Sequence, residues 1–307
     1  MFWLENTIPV EYRDAVREGA LMWNKAFEKI GFKDAVVVKQ QPDDADWDAA
    51  DTRYSTIRWF AGVDATFAIG PSRANPFTGQ IYDADISISE GIIRGARRLG
   101  EEYAGPVAMG AGNEQVTMPW SKDPQHQCSY AEGLADQAAL GMAVLDTRGA
   151  LSPETERKLV YEYVVELTAH EVGHTLGLRH NFRGSSILPA NELNDVQKAE
   201  TIGQSASVMD YNPVIIAGKG ETQGHFVPVT LGPYDYWAIE YAYTPISGGD
   251  EKAALAKIAS RAADPMLLYS TDEDALGTYS ALSIDPLANQ YDQSTDPLAY
   301  FRSASSS

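Results

Sequence analysis

The stretch HEVGHTLGLRH, residues 170–180, places three of the chain's five histidines within three turns of a helix and its exit. On a helix His170 and His174 stand at i and i+4, so both imidazoles leave one face and can reach a single ion at the ~2.0–2.1 Å zinc–nitrogen distance. Glu171 lies roughly 100° further round the same helix, where its carboxylate can hydrogen-bond a water at the metal without ligating the ion. Gly177 lets the chain leave the helix axis and bring His180 back as a third ligand. Three protein ligands leave one position open, the arrangement of a catalytic zinc centre and not of a closed structural one. The chemistry this implies is hydrolysis, with Glu171 taking a proton from the attacking water and passing it to a leaving amine. A bare H-E-x-x-H is a weak signal, and the added glycine and third histidine make this one far more restrictive.

Such a site needs a rigid carrier. Ser152 as cap, Pro153 and Glu154 in the first turn, and Leu159, Tyr163 and Leu167 in register with His170 predict one helix over 152–176. Residues 7–31 read as a second, amphipathic helix, with Thr7 at the cap, Pro9 in the first turn and Gly31 at the stop. Strands are predicted at AVVVKQ (35–40, buried), STIRWFA (55–61), ATFAIG (65–70) and IYDADISIS (81–89). PSRANPFTGQ (71–80) joins the last two as a loop or wide hairpin connection. Further helices are expected over 134–146, 231–243 and 250–262, with a glycine-interrupted helical stretch at 91–104. The Asp-rich run 41–51 lacks the ligand spacing and central glycine of a calcium loop and reads as a solvated acidic loop, so calcium has no support.

Met209, in SVMDY (207–211), follows His180 by 29 residues. HEVGHTLGLRH followed by SVMDY resembles the metzincin clan of zinc peptidases, in which a tight turn sets a methionine beneath the metal. ENTIPVEYRDAVREGALMWNKAFEKIGFKDA, GQIYDADISIS, HEVGHTLGLRHNFRGS, SVMDY and GPYDYWAIEYAY also resemble the catalytic region of large bacterial zinc-dependent metalloproteases, across most of the chain and least in 91–150. The resemblance implies an endopeptidase with one catalytic zinc on His170, His174 and His180, Glu171 as the base, and Met209 as an apolar floor that does not bind the ion. Tyr211 would help stabilise the tetrahedral intermediate, with simple packing as the competing role. The implied fold is α+β, a twisted mixed sheet with long helices over a zinc cleft and a mainly helical or irregular C-terminal part. ATFAIGPS (65–72) is the candidate edge strand, along which an extended peptide would pair through its main chain; an ordinary inner strand is the alternative. The expected division is 1–180, with sheet, backing helix and active-site helix, and 181–307, with the Met-turn and later helices. The same relatives imply secretion or a periplasmic or cell-envelope location. The N-terminus lacks a signal-peptide pattern, and the expectation is of a catalytic part excised from a longer precursor.

Composition narrows the partners. With 24 basic and 43 acidic residues the net charge is -19, which repels phosphate backbones and excludes nucleic acid as a natural partner. No run of 18 or more apolar residues occurs, so no membrane span is expected. The single Cys128 excludes an internal disulfide and any multi-cysteine zinc site. In QHQC, His126 and Cys128 can be imagined as metal ligands or as an inhibitory thiolate, but a loop histidine beside a lone cysteine is expected to be neither. Two other functions fit the same residues: a latent or self-processing peptidase of narrow specificity, and a zinc-binding protein without turnover. Glu171 argues against the second, because a binding-only site needs no base beside the metal.

Overall fold

The alternating and β-branched runs of the N-terminal half form short strands, and the computed structural model shows how they assemble. It describes residues 1–61, 68–91, 93, 94, 128, 130–275 and 285–305. The strands are β1 (Phe2–Leu4), β2 (Val38–Gln40), β3 (Thr56–Phe60), β4 (Ala68–Ile69), β5 (Ser72–Ala74), β6 (Ile81–Ala84) and β7 (Ile86–Ser89). Five of them make a mixed sheet in the order β2-β1-β3-β7-β4. The first four in that order are parallel, and β4 runs antiparallel along β7, with Ala68 opposite Ile88 and Ile69 opposite Ser87. Of the expected edge strand 65–72, Ala68–Ile69 lie at the edge of the described sheet, while Ser72 already belongs to β5 of the separate hairpin. Its N-terminal part, residues 65–67, lies outside the described residues.

Two strand expectations need correction. AVVVKQ is not a buried strand: only Val38–Gln40 pairs, at the outer edge beyond β1, and none of the three is buried. IYDADISIS is not one strand either. Asp85 interrupts it, because its carboxylate Oδ1 accepts from the Thr56 amide at 3.1 Å and the Thr56 hydroxyl at 2.9 Å. That anchor sends Ile86–Ser89 into the main sheet while Ile81–Ala84 turns away and pairs with β5 as a separate hairpin.

The helix expected over 7–31 is also divided, into a 3-10 turn (Val10–Tyr12) and helices Arg13–Leu21 and Asn24–Lys29. Thr7 is no cap. Its hydroxyl donates to Glu5 at 2.7 Å and accepts from the Trp59 amide at 3.2 Å. The break falls at Trp23, a fully buried indole whose N–H must find a partner. It donates to the Ala169 carbonyl of the active-site helix at 2.8 Å, tying the two helices together next to His170.

The active-site helix itself runs from Pro153 to Thr175. The Ser152 hydroxyl accepts from the Thr155 amide at 3.1 Å, and Glu154 and Glu156 favour the positive end of the helix dipole. It is buried nearly all round from Leu159 onward, which marks a central helix and not a surface one. Other helices are Tyr130–Thr147, Val196–Thr201, Pro233–Tyr243, Glu251–Ala259 and Pro297–Ser305. The stretch 91–104 lies, apart from residues 91, 93 and 94, outside the described residues. One hydrophobic core joins both sides of residue 180, taking Leu4, Trp23, Ile57 and Ile88 together with Met209, Tyr211, Phe226 and Ile239. Among the described residues no helix is long and apolar enough to cross a membrane.

Candidate metal centre

His170 and His174 occupy the last two turns of the active-site helix. The helix ends at Gly177, whose φ of +87° is a left-handed conformation that glycine takes without strain. The Leu178 amide donates back to the Gly173 carbonyl at 3.1 Å, so the chain reverses and delivers His180 beside the other two. Each imidazole is held from behind through Nδ1. His170 meets the Val208 carbonyl at 2.7 Å, His174 the Leu178 carbonyl at 3.0 Å, and His180 the Asp272 carboxylate at 2.8 Å. Carbonyl and carboxylate oxygens only accept, so Nδ1 carries the proton and Nε2 keeps a free lone pair.

The three Nε2 atoms face inward. They lie 3.1 Å apart between His170 and His174, and 3.2 Å apart between His174 and His180. Ligand nitrogens around a tetrahedral zinc with ~2.0–2.1 Å bonds are separated by about 3.3 Å, so this spacing fits one ion. Unprotonated lone pairs aimed at one another are repulsive unless a cation sits between them. Burial, then the neighbouring His174 and His180, hold His170 well below the usual imidazole range. Burial and His180 lower His174 to about 3. Both rings are thus held neutral near neutral pH.

Glu171 is fully buried, and the Cys128 side chain is its hydrogen-bonding neighbour. Burial pushes its carboxyl up to about 8, against a lowering contact with Cys128. A dication in the same pocket opposes that burial and favours the carboxylate.

Met209 packs on the active-site helix at Gly173. Its Sδ packs so tightly on the helix that a Cβ on Gly173 would stand 2.2 Å from the sulfur and 2.8 Å from the Trp23 ring. Only glycine fits there. The turn is pinned from behind by Asp235, in the GPYDYW segment. One Asp235 oxygen accepts from the Ser207 hydroxyl at 2.6 Å; the other accepts from the amides of Val208 at 3.0 Å and Gly232 at 2.9 Å. Since the Val208 carbonyl orients His170, Asp235 reaches the centre through a single residue, Val208. Asp235→Asn puts an amide donor against these donors, and we expect a loss of about 1–3 kcal/mol in urea unfolding. An unchanged unfolding midpoint would show that the turn holds without this acceptor.

Tyr211 is packed and also points at the site. Its ring stacks on Tyr130 with centroids 4.9 Å apart and meets His180 edge-on at 4.8 Å. Its hydroxyl donates toward Cys128 Sγ at 3.7 Å.

Cys128 also lies beside these imidazoles. Its Sγ lies 3.5 Å from His170 Nε2. Cys128, His170, His174 and His180 offer donor atoms that all lie within 4.8 Å of one another, the one such cluster among the described residues. Sequence reasoning set the cysteine aside because nothing in QHQC has ligand spacing; the fold brings it in across 42 positions. His126 lies outside the described residues. With no cation charge beside it, burial and Glu171 push the Cys128 thiol up, whereas a coordinating thiol is deprotonated by the ion itself.

Asp272 was missed altogether. It sits 92 positions after His180, in a segment with no motif. Burial raises its pKa, but the hydrogen bond and charge of His180 outweigh that and leave it below the ordinary carboxylate value. Arg179 also reaches Asp272, at 3.5 Å. Asp272→Asn is expected to weaken zinc binding by about 10–100-fold, read by competition with a chromophoric chelator. Unchanged affinity would show that His180 orients itself.

A cleft of about 300 Å³ opens beside the histidines, with Ile69, Gly70, Pro71 and Ser72 along one side and His174, His180 and Cys128 within it. The β4 edge therefore borders the centre. A model of the Met-zincin family matches residues 152–305, half of the chain. The chain belongs to the Met-zincin family. No curated protein and no solved structure matches it. The matched half of this Met-zincin carries His170, Glu171, His174, His180, Met209, Tyr211, Asp235 and Asp272, while Cys128 and the sheet precede it. Membership and the histidine–cysteine cluster together point to a zinc-dependent protease.

Proposed function

We propose that this chain is a zinc endopeptidase that takes an extended peptide along β4 and cleaves it with Glu171 as general base. The observation that carries the reading is the convergence of three inward Nε2 atoms beside a fully buried Glu171 carboxyl. A zinc ion held by His170, His174 and His180 supplies Lewis acidity and lowers the pKa of a coordinated water to about 7.

The remaining work belongs to the chain. Glu171, one residue after a ligand, takes the proton from the attacking water and delivers it to the leaving amine. Its burial favours that traffic, because a carboxyl raised by desolvation both accepts and returns a proton near neutral pH. β4 pairs with β7 on one side only among the described residues, and the chain continues from it along the cleft. Its outer main-chain groups are positioned to hold a peptide as an added strand, largely independent of that peptide's sequence. The Tyr211 hydroxyl, which donates toward Cys128 Sγ beside the histidines, would steady the oxyanion of the tetrahedral intermediate.

The test is digestion of a mixed peptide library by the zinc-loaded wild type and by Cys128→Ser, repeated after chelation and after zinc is restored. Cleavage at interior bonds that disappears with the metal and returns with it is the expected result. Release of terminal residues alone would make the protein an exopeptidase. No cleavage by either zinc-loaded form would leave a metal-binding protein without turnover.

A further inference from the structure

We propose that Tyr291 is a positioning residue for peptide cleavage: its ring walls in the Tyr211 ring and so keeps the Tyr211 hydroxyl turned to the metal centre. The proposal rests on the oxyanion role given to Tyr211 and names what holds that donor in place. Tyr211 is buried among rings. Tyr130 stacks on it at 4.9 Å between centroids, Phe182 and His180 meet it edge-on at 5.1 and 4.8 Å, and Tyr291 lies tilted against it at 5.7 Å. Tyr291 also stacks on Tyr130, at 6.4 Å, so it backs both of the stacked tyrosines.

A second, independent support is the backbone, which holds this placement against a local cost. The φ of Tyr291 is +58°, a left-handed conformation disfavoured for a bulky side chain. Ser294, three residues on, is also left-handed, at +83°. Such residues persist where the surroundings over-determine them, and here they do. The Tyr291 amide donates to the Tyr211 carbonyl at 2.8 Å, the Ser294 amide to the Ser185 carbonyl at 3.0 Å and the Thr295 amide to the Leu188 carbonyl at 2.9 Å. Between them Gln293 Nε2 donates to the Gln204 carbonyl at 2.5 Å. The ring of Tyr291 has a slot of its own. Its hydroxyl donates to the Tyr130 carbonyl at 3.4 Å, and a Cβ on Gly133, in the helix Tyr130–Thr147, would collide with its tip. Tyr291 therefore grips Tyr211 twice, at the main chain by its amide and at the side chain by its ring.

The consequence is geometric. A donor serves the oxyanion only when it is held where the charge develops, and a misplacement of about 1 Å can cost about 10²-fold in rate. Removing the Tyr291 ring opens one wall of the slot and lets the phenol settle away from that place. Pairing of a peptide along β4 does not pass through Tyr211. Tyr291 should therefore act on kcat and leave KM and zinc content alone.

Tyr291→Gly is the sharpest probe, because glycine takes the left-handed backbone without strain and keeps the amide bond to Tyr211 while the ring is gone. The zinc-loaded variant should lose about 10–10²-fold in kcat at unchanged KM and unchanged zinc content. Tyr291→Phe keeps the ring and should cleave like the wild type. In a Tyr211→Phe background Tyr291→Gly should cost almost nothing more, since the hydroxyl it positions is already absent. Gly133→Ala pushes on the ring from its other end and should repeat the loss, which decides the matter where Tyr291→Gly does not fold. An unchanged kcat in Tyr291→Gly and Gly133→Ala overturns the proposal. So does a loss of the same size with and without the Tyr211 hydroxyl, or a loss in Tyr291→Phe equal to that in Tyr291→Gly. No cleavage by the wild type, or an unchanged kcat in Tyr211→Phe alone, instead removes the role that Tyr291 serves, and so separates failure of the oxyanion reading from failure of the positioning.

Discussion

Glu171→Gln keeps its zinc and loses about 10²–10⁴-fold in peptide cleavage. The substitution keeps the shape and the neutral hydrogen-bonding capacity of the side chain and removes only its basicity. The scale follows from the role: a positioned base takes a proton in the transition state. His170 and His174 are held as neutral rings with Nδ1 turned away, and Cys128 is a protonated thiol when no ion is bound. Burial of Glu171 sharpens the contrast between base and structural prop. A buried carboxyl costs stability when it is charged, so the neutral amide should fold at least as well as the wild type. The decisive comparison is zinc content beside cleavage rate for both proteins. Cleavage retained in Glu171→Gln would mean that another group takes the proton; zinc lost together with activity would mean that Glu171 holds the metal.

His180→Ala should release the zinc. Two ligands on one helix face hold an ion poorly, and His180 is the only protein donor of the cluster's three histidines that comes from outside the helix. The loss in affinity should exceed the about 10–100-fold expected for Asp272→Asn, since the first removes a bond to the metal and the second only its orientation. The substitution also leaves Asp272 without the partner that holds its carboxylate ionised, at a cost of about 1–3 kcal/mol in stability. Titration with a competing chelator separates these two effects from simple misfolding, provided circular dichroism shows the helices intact. Zinc affinity unchanged in His180→Ala would remove it from the ligand set and leave Cys128 as the third donor.

What the sequence made legible was local. An i, i+4 pair and a glycine at the helix exit act within one turn, so His170, His174, Gly177 and His180 can be placed from spacing alone. Met209 was legible through the motif around it, and the structure adds where it packs: its Sδ occupies the space that Gly173 leaves by having no side chain. Asp235 was visible as part of GPYDYW, but its task, pinning the Val208 peptide that orients His170, exists only after folding. Asp272 and Cys128 were illegible for the same reason. They meet the histidines across 92 and 42 positions, and neither has neighbours whose spacing signals a ligand. The strand errors arose where one polar anchor beat periodicity. Asp85 on Thr56 splits a run that alternates well enough to be one strand, and Trp23 on Ala169 interrupts a helix whose apolar face is continuous.

Zinc content is the most direct measurement. The protein purified without chelator and dialysed near neutral pH should carry about one zinc per chain by elemental mass spectrometry, bound through three nitrogens at ~2.0–2.1 Å in X-ray absorption at the zinc edge. Absence of zinc, after incubation with the ion as well as before it, would contradict the metal centre and every role assigned around it.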